Sequence, residues 1–187
     1  SCLAGFSLSV VVESMPTKLA AGITIGKVLT TSDLPSLEIR ILLAHALGLS
    51  RVQLITQAER ALTPDEAARV SAMLTRRSDG EPIAYLVGER EFFGLPFHVT
   101  PDVLIPRPET ELLVELGLDR LPDGGRLLDM GTGSGAIAVA IAHTRPDATV
   151  TATDISETAL AVARMNATRH RAALTFLQSD WYRSLSS

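Results

Sequence analysis

Up to Gly80 the apolar residues fall mostly at helical spacing; beyond it they gather into short alternating or continuous blocks separated by glycine and proline. Leu37, Ile41, Ala44 and Leu47 predict a helix opened by Asp33-Leu-Pro-Ser36 and stopped at Gly48. Val52, Leu54, Ile55 and Ala58 suit a shorter helix. Thr63-Pro64-Asp65-Glu66 carries the signature of a capping box with proline at the first helical position, and Gly80 is a natural terminator. From Glu89 to Thr100 two alternating runs flank Gly94 and predict a β-hairpin, with Phe92, Phe93 and Phe97 as its core. Pro108 then begins a helix running through Leu112, Leu113, Leu116 and Leu121, and Pro122-Asp-Gly-Gly125 turns out of it. The remainder alternates as β (126–130), α (135–144), β (149–154), α (157–169) and β (174–178). Units of that length imply an α/β fold with a parallel, doubly wound sheet and ligands at the carboxyl ends of its strands.

The densest chemistry lies where the first of those strands meets its helix. Gly131, Gly133 and Gly135 let the backbone turn sharply and approach a ligand without intervening Cβ atoms, with Thr132 and Ser134 between them. Asp154 ends the next strand, about 20 residues on, where a carboxylate meets ribose hydroxyls. Gly131, Gly133 and Ala136 also satisfy the dinucleotide pattern, so NAD is a rival ligand. Asp129 would repel a nearby pyrophosphate but suits a ligand carrying an ammonium and a sulfonium. Asp180-Trp181, after the third strand, offers an amine acceptor and a flat ring for adenine. Together these favour S-adenosyl-L-methionine.

Bulk properties narrow the class. No apolar run approaches the roughly 20 residues that span a bilayer, and residues 1–14 lack the basic flank of a secretory signal. Met15-Pro16 reads as a start, which would make 1–14 an extension of unknown origin, a non-native one among the readings. The single cysteine, Cys2, excludes an internal disulfide and fits a cytoplasmic protein. Residues 81–187 carry nine basic against fourteen acidic side chains, with no basic stripe for direct nucleic-acid binding. His45, His98, His143 and His170 lack ligand spacing, so no metal site is expected, and Arg76 and Arg77 read as a solvated helix end.

Five segments occur in an order that identifies a family: Gly-Glu-Pro-Ile-Ala-Tyr (80–85), Glu-Phe-Phe-Gly-Leu (91–95), Leu-Ile-Pro-Arg-Pro-Glu-Thr-Glu (104–111), Leu-Asp-Met-Gly-Thr-Gly-Ser-Gly (128–135) and Gln-Ser-Asp-Trp (178–181). From about residue 20 onward the chain resembles the bacterial peptide chain release factor glutamine N5-methyltransferases, the PrmC/HemK family. The resemblance implies a helical substrate-recognition domain (15–80), a hairpin linker (81–105) and a Rossmann-like class I methyltransferase sheet (106–187). It implies methyl transfer from S-adenosyl-L-methionine to the glutamine amide of a Gly-Gly-Gln motif in class 1 release factors. Gly131 to Gly135 would approach the methionine and ribose, Asp154 the ribose hydroxyls, and Trp181 and Asp180 the adenine. Arg107 and Glu109 would organise the region where the glutamine loop enters.

The family's Asn-Pro-Pro-Tyr segment, which holds the target amide, does not occur in this sequence. The expectation is therefore a truncated member with donor-site residues and no amide clamp, and with a sheet edge that a further strand would cover. A DNA-adenine or ribosomal-protein glutamine methyltransferase, and a non-catalytic fragment, are the alternatives.

Overall fold

The computed structural model describes residues 19–183, which leaves the expectations on 1–14 and Cys2 outside the described residues. The chain divides into two compact units, one ending at Leu86 and the other beginning at Val87.

The first unit contains α1 (Ile25–Thr31), α2 (Ser36–Leu47), α3 (Arg51–Thr56), α4 (Pro64–Ser78) and most of α5 (Ile83–Val87). Three starts are secured by side chains that satisfy otherwise orphaned N–H groups. Thr24 accepts from Lys27, while Ser50 with Gln53 and Thr63 with Glu66 form reciprocal capping boxes. The core joins Ile25, Val28, Ile39, Leu43, Leu54 and Val70. On α2 the buried stripe is Ile39, Leu42 and Leu43; Leu37 is 59% exposed, and Ile41, Ala44 and Leu47 are half-buried. The helix thus turns inward a different face from the one its leucine spacing suggested, because two equally apolar stripes compete and packing against α4 selects one. Arg76 and Arg77 are not merely solvated. Arg77 forms a bidentate pair with Glu38, at 2.8 and 3.1 Å, and Arg76 a bidentate pair with Glu81.

The second unit opens with a hairpin of β1 (Glu89–Phe92) and β2 (Leu95–His98). Phe93 and Gly94 form its two-residue turn with φ of 52° and 73°, the left-handed pair whose twist matches antiparallel strands. Glu111 accepts from the Phe93 N–H at 3.0 Å and Glu91 from the Gly94 N–H at 2.9 Å, which holds a bulky residue in that conformation. Phe92 and Phe97 are buried edge to face, 5.9 Å apart.

A turn at Pro108–Thr110 leads into α6 (Glu111–Arg120). Then follow β3 (Arg126–Met130), α7 (Ala136–Thr144), β4 (Thr149–Asp154), α8 (Glu157–His170) and β5 (Thr175–Gln178). The three strands are parallel in the order β3-β4-β5, with Leu127 opposite Val150 and Ala152 opposite Phe176. α7 is apolar all round and fully buried from Ala138 to Ile141, as a helix between a sheet and other helices must be. α6 packs on α7 and α7 on α8, so the three form one layer over the Leu127, Val150, Ala152 and Phe176 side of the sheet. The described residues thus supply one helical layer, where a doubly wound sheet has two. Alternate side chains point the other way, and Leu128 among them is 39% exposed. On α6, Leu112, Leu113 and Leu116 are exposed, while Val114 is buried and Leu118 packs beside it.

Candidate functional site

The site is built at the carboxyl ends of the three parallel strands, where the backbone leaves each strand with carbonyl and N–H groups free to bind something else. The turn after β3 uses some of them on the neighbouring strand. The Gly131 and Thr132 N–H groups both donate to the Thr153 carbonyl, at 2.8 and 2.9 Å. The Gly133 N–H donates to Asp154 Oδ2 at 2.9 Å, and the Ser156 N–H donates to Asp154 Oδ1 at 3.0 Å. One carboxylate therefore ties the glycine turn to the start of α8. The Ser179 N–H, just past β5, donates to the Asp154 carbonyl at 2.9 Å and brings the third strand end to the same place.

The three glycines are required for two different reasons. Gly131 and Gly133 have φ of 73° and 55°, and a Cβ on either would meet nothing within 4 Å, so they are open toward solvent. Gly135, at φ 81°, begins α7 where a Cβ would lie 3.1 Å from Ala163 Cβ and 3.2 Å from Val139 Cγ2. The first two allow backbone shape; the third allows α7 and α8 to touch.

Behind the turn, the Thr132 hydroxyl donates to Asp129 Oδ2 at 2.7 Å. Burial pushes the Asp129 carboxyl above the ordinary carboxylate range, opposed by hydrogen bonds from Thr132 and the Ala138 N–H, with the Asp154 charge adding to the rise. Thr132 and Ser134 are both buried. Asn166, fully buried on α8, donates to the Ser134 carbonyl at 2.8 Å.

A cleft of about 220 Å³ opens at these strand ends, lined by Met130, Gly131, Thr153, Asp154, Ile155, Ser179, Asp180 and Trp181. Its lining holds two carboxylates and no basic side chain. Trp181 is 71% exposed, so it is no core aromatic. Its backbone is left-handed at φ 54°, held by a 2.8 Å hydrogen bond from the Ser179 hydroxyl to its carbonyl. Asp180 pairs with Arg183 at 2.8 Å.

Of the residues singled out from the sequence, Gly131, Asp154, Asp180 and Trp181 meet at this cleft. Asp129, Thr132, Gly133, Ser134 and Gly135 do not line it but form the turn and its support. Arg107 and Glu109 are exposed around the Pro108–Thr110 turn and do not line the cleft. Sequence reading passed over Thr153, Ser179 and Asn166. The last had a visible signal, an amide amid Leu160, Val162, Ala163 and Ala167 on a buried helical stripe. Among the described residues no cluster of three or more His, Cys, Asp or Glu is gathered for a metal, and no helix is long and apolar enough to cross a membrane.

Comparison with known proteins places this geometry. Residues 25–88 match the PrmC N-terminal domain and residues 108–187 the methyltransferase small domain. A release factor glutamine methyltransferase of Burkholderia pseudomallei (strain K96243) is 55% identical over 180 residues, covering 91% of this chain and 63% of the relative. That of Escherichia coli (strain K12) is 47% identical over 161 residues, covering 84% and 58%. The chain thus spans little more than half the length of these relatives. A Pyrococcus abyssi tRNA (uracil-54, C5)-methyltransferase solved with S-adenosyl-L-homocysteine aligns over 49% of this chain and 23% of its own, at 18% identity and a TM-score of 0.43. With both domain matches in sequence order and close to half of all aligned residues identical, the chain is similar over most of its length to release factor glutamine methyltransferases.

Proposed function

We propose that this chain binds S-adenosyl-L-methionine at the strand-end cleft, as the donor side of a methyl transfer to the glutamine side-chain amide of a class 1 peptide chain release factor in the cytoplasm. The observation that carries the cofactor reading is the lining of the cleft: Asp154 and Asp180 with no basic side chain, beside an exposed indole. Those acceptors fit a nucleoside that bears positive charge and carries hydroxyls and an amine to donate. The nearest cation, Arg183, is already paired with Asp180, so the lining presents net negative charge to a pyrophosphate.

Bound there, S-adenosyl-L-methionine supplies an electrophilic methyl group on a sulfonium. The protein's part on this side is to hold and orient. Asp154 would accept from the ribose hydroxyls with the lone pairs left over from its two backbone bonds. Trp181 would cover the adenine, Asp180 would accept from its amine, and the open faces of Gly131 and Gly133 would admit the ribose and methionine. Asp129, Thr132, Ser134 and Gly135 keep the turn in shape. Arg107 and Glu109, exposed beside the turn into α6, would meet the incoming glutamine loop. An amide nitrogen is a weak nucleophile, so in-line placement of the acceptor against the methyl group is the larger share of the catalysis. The helical segment 15–80 would recognise the release factor, with 81–105 as linker and 106–187 as the methyltransferase part.

Calorimetric titration of the chain with S-adenosyl-L-methionine and with NAD tests the cofactor reading. Saturable binding of the first and none of the second is expected; preference for NAD would overturn it. Incubation with a release factor and labelled methyl donor, read by mass at the Gly-Gly-Gln glutamine, tests the acceptor.

A further inference from the structure

Asn166 is 0% exposed in the middle of α8, and all the hydrogen-bonding capacity of its amide nitrogen is used. Its Nδ2 donates to the His98 carbonyl at 3.0 Å and to the Ser134 carbonyl at 2.8 Å, while its Oδ1 accepts from the His98 N–H at 2.7 Å. Two acceptors facing one end of the amide and a donor facing the other fix its orientation. The side chain therefore takes both backbone groups of the last residue of β2, as a neighbouring strand would, and with its second N–H grips the glycine turn. Three segments far apart in sequence meet on one amide: the hairpin end at 98, the turn at 134 and α8 at 166.

The surroundings leave little slack. Ala163, one helical turn before Asn166, is the residue that a Cβ at Gly135 would strike. Ser134 and Gly135 are thus located from α8 by a hydrogen bond and by contact, while Gly131 to Gly133 are located from β4 by Thr153 and Asp154. His170, on the last turn of α8, reaches the same strand of the hairpin through the Pro96 carbonyl at 2.9 Å and lies against Phe97. That contact and the Arg169–Glu89 ion pair at 2.7 Å also join hairpin and helix, while the Asn166 amide hydrogen-bonds the hairpin and the turn at once.

We propose that Asn166 is a positioning residue that couples the β1–β2 hairpin to the cofactor turn, so that ligand at the cleft orders the hairpin and the hairpin's seating sets ligand affinity. The proposal rests on the reading that the cleft binds S-adenosyl-L-methionine or its product. Occupancy would hold Ser134 in place, Ser134 would hold Asn166, and Asn166 would hold both backbone groups of His98. By reciprocity of coupled equilibria, the factor by which ligand favours the seated hairpin equals the factor by which the seated hairpin raises ligand affinity, and removing the amide removes that factor.

The test is amide hydrogen exchange on the full chain with and without saturating S-adenosyl-L-homocysteine, together with calorimetry on wild type, Asn166→Ala and Asn166→Asp. In wild type, ligand is expected to slow exchange at 131–135 and also at the His98 amide, which does not line the cleft. In Asn166→Ala the protection at 131–135 should persist, that at His98 should vanish, and Kd should rise about tenfold. Asn166→Asp keeps an acceptor for the His98 N–H but sets a carboxylate against two carbonyl oxygens, so it should behave like the alanine variant. A merely structural role would lower the melting temperature and leave the ligand-dependent difference at His98 intact. That result, or a Kd within twofold of wild type in a folded variant, overturns the proposal. If neither variant folds, the wild-type exchange decides: no ligand-dependent protection at His98 overturns the coupling while the cofactor reading stands. Absence of binding to wild type overturns both.

Discussion

Asp154→Ala removes the acceptor of two backbone N–H groups and, on the proposed reading, the partner of the ribose hydroxyls. The structural share can be worked from the two bonds, Gly133 N–H at 2.9 Å and Ser156 N–H at 3.0 Å. A buried donor left unsatisfied costs about 1–3 kcal/mol. Both bonds here are only partly buried, so water replaces some of each, and about 1 kcal/mol apiece, or about 2 kcal/mol together, is the expected loss. For a unit of roughly 100 residues that lowers Tm by about 8–16 °C. The ligand share adds hydrogen bonds to a charged group worth about 1.5–3 kcal/mol, which raises Kd by about 10- to 150-fold. Asp154→Asn retains one acceptor oxygen and should lose about half the stability, about 1 kcal/mol, but most of the affinity. Differential scanning calorimetry and titration with S-adenosyl-L-homocysteine read the two shares separately. A Tm within 2 °C of wild type would refute the splint role of the carboxylate. A normal Tm-corrected Kd in the alanine variant would refute its place in the ligand site.

Other perturbations test the fold around the site. Gly135→Ala introduces a Cβ 3.1 Å from Ala163 at a left-handed backbone position, and urea unfolding should show a loss of about 2–3 kcal/mol. Thr63→Ala removes one half of the capping box at α4 and should cost about 1 kcal/mol in the same assay, with Ser at this position nearly neutral. The Arg77 guanidinium holds the Glu38 carboxyl below its ordinary value of 4.5. Because the folded-state value is the lower one, the pair's stabilisation is complete above the ordinary value and disappears as pH falls through the folded one. Both side chains keep about a quarter of their exposure, so the contribution is about 1 kcal/mol. The urea-midpoint gap between wild type and Arg77→Met should therefore be constant from pH 8 to pH 6 and close toward pH 3; a gap independent of pH would rule out the ion pair as its source.

Local rules were readable wherever one short stretch contained both the problem and its solution. Thr63-Pro-Asp-Glu66 announces a helix start because the cap and its reciprocal partner lie three residues apart. Phe93-Gly94 sits between two alternating runs, and the strands of the parallel sheet appear close to where their apolar blocks predict them. Choices between equivalent faces were not readable. α2 has two apolar stripes and buries Ile39, Leu42 and Leu43; α6 has leucines on several sides and buries Val114. Spacing identifies a stripe, but only the packing partner says which stripe is inside.

At the site the same division holds. Three glycines, an acid at the end of the following strand and Asp180-Trp181 stood out by residue type and position, because a sharp strand-to-helix turn needs particular backbone shapes that glycine allows. Which of them reach the cleft was decided by the fold: Gly131, Asp154, Asp180 and Trp181 line it, and Asp129, Thr132 and Ser134 stand behind. The tertiary structure alone made Asn166 a partner of His98 and Ser134, 68 and 32 residues away. A hydrogen bond at such separation leaves no periodicity in the sequence, because its two ends are brought together by the sheet and helix packing between them rather than by the backbone that joins them.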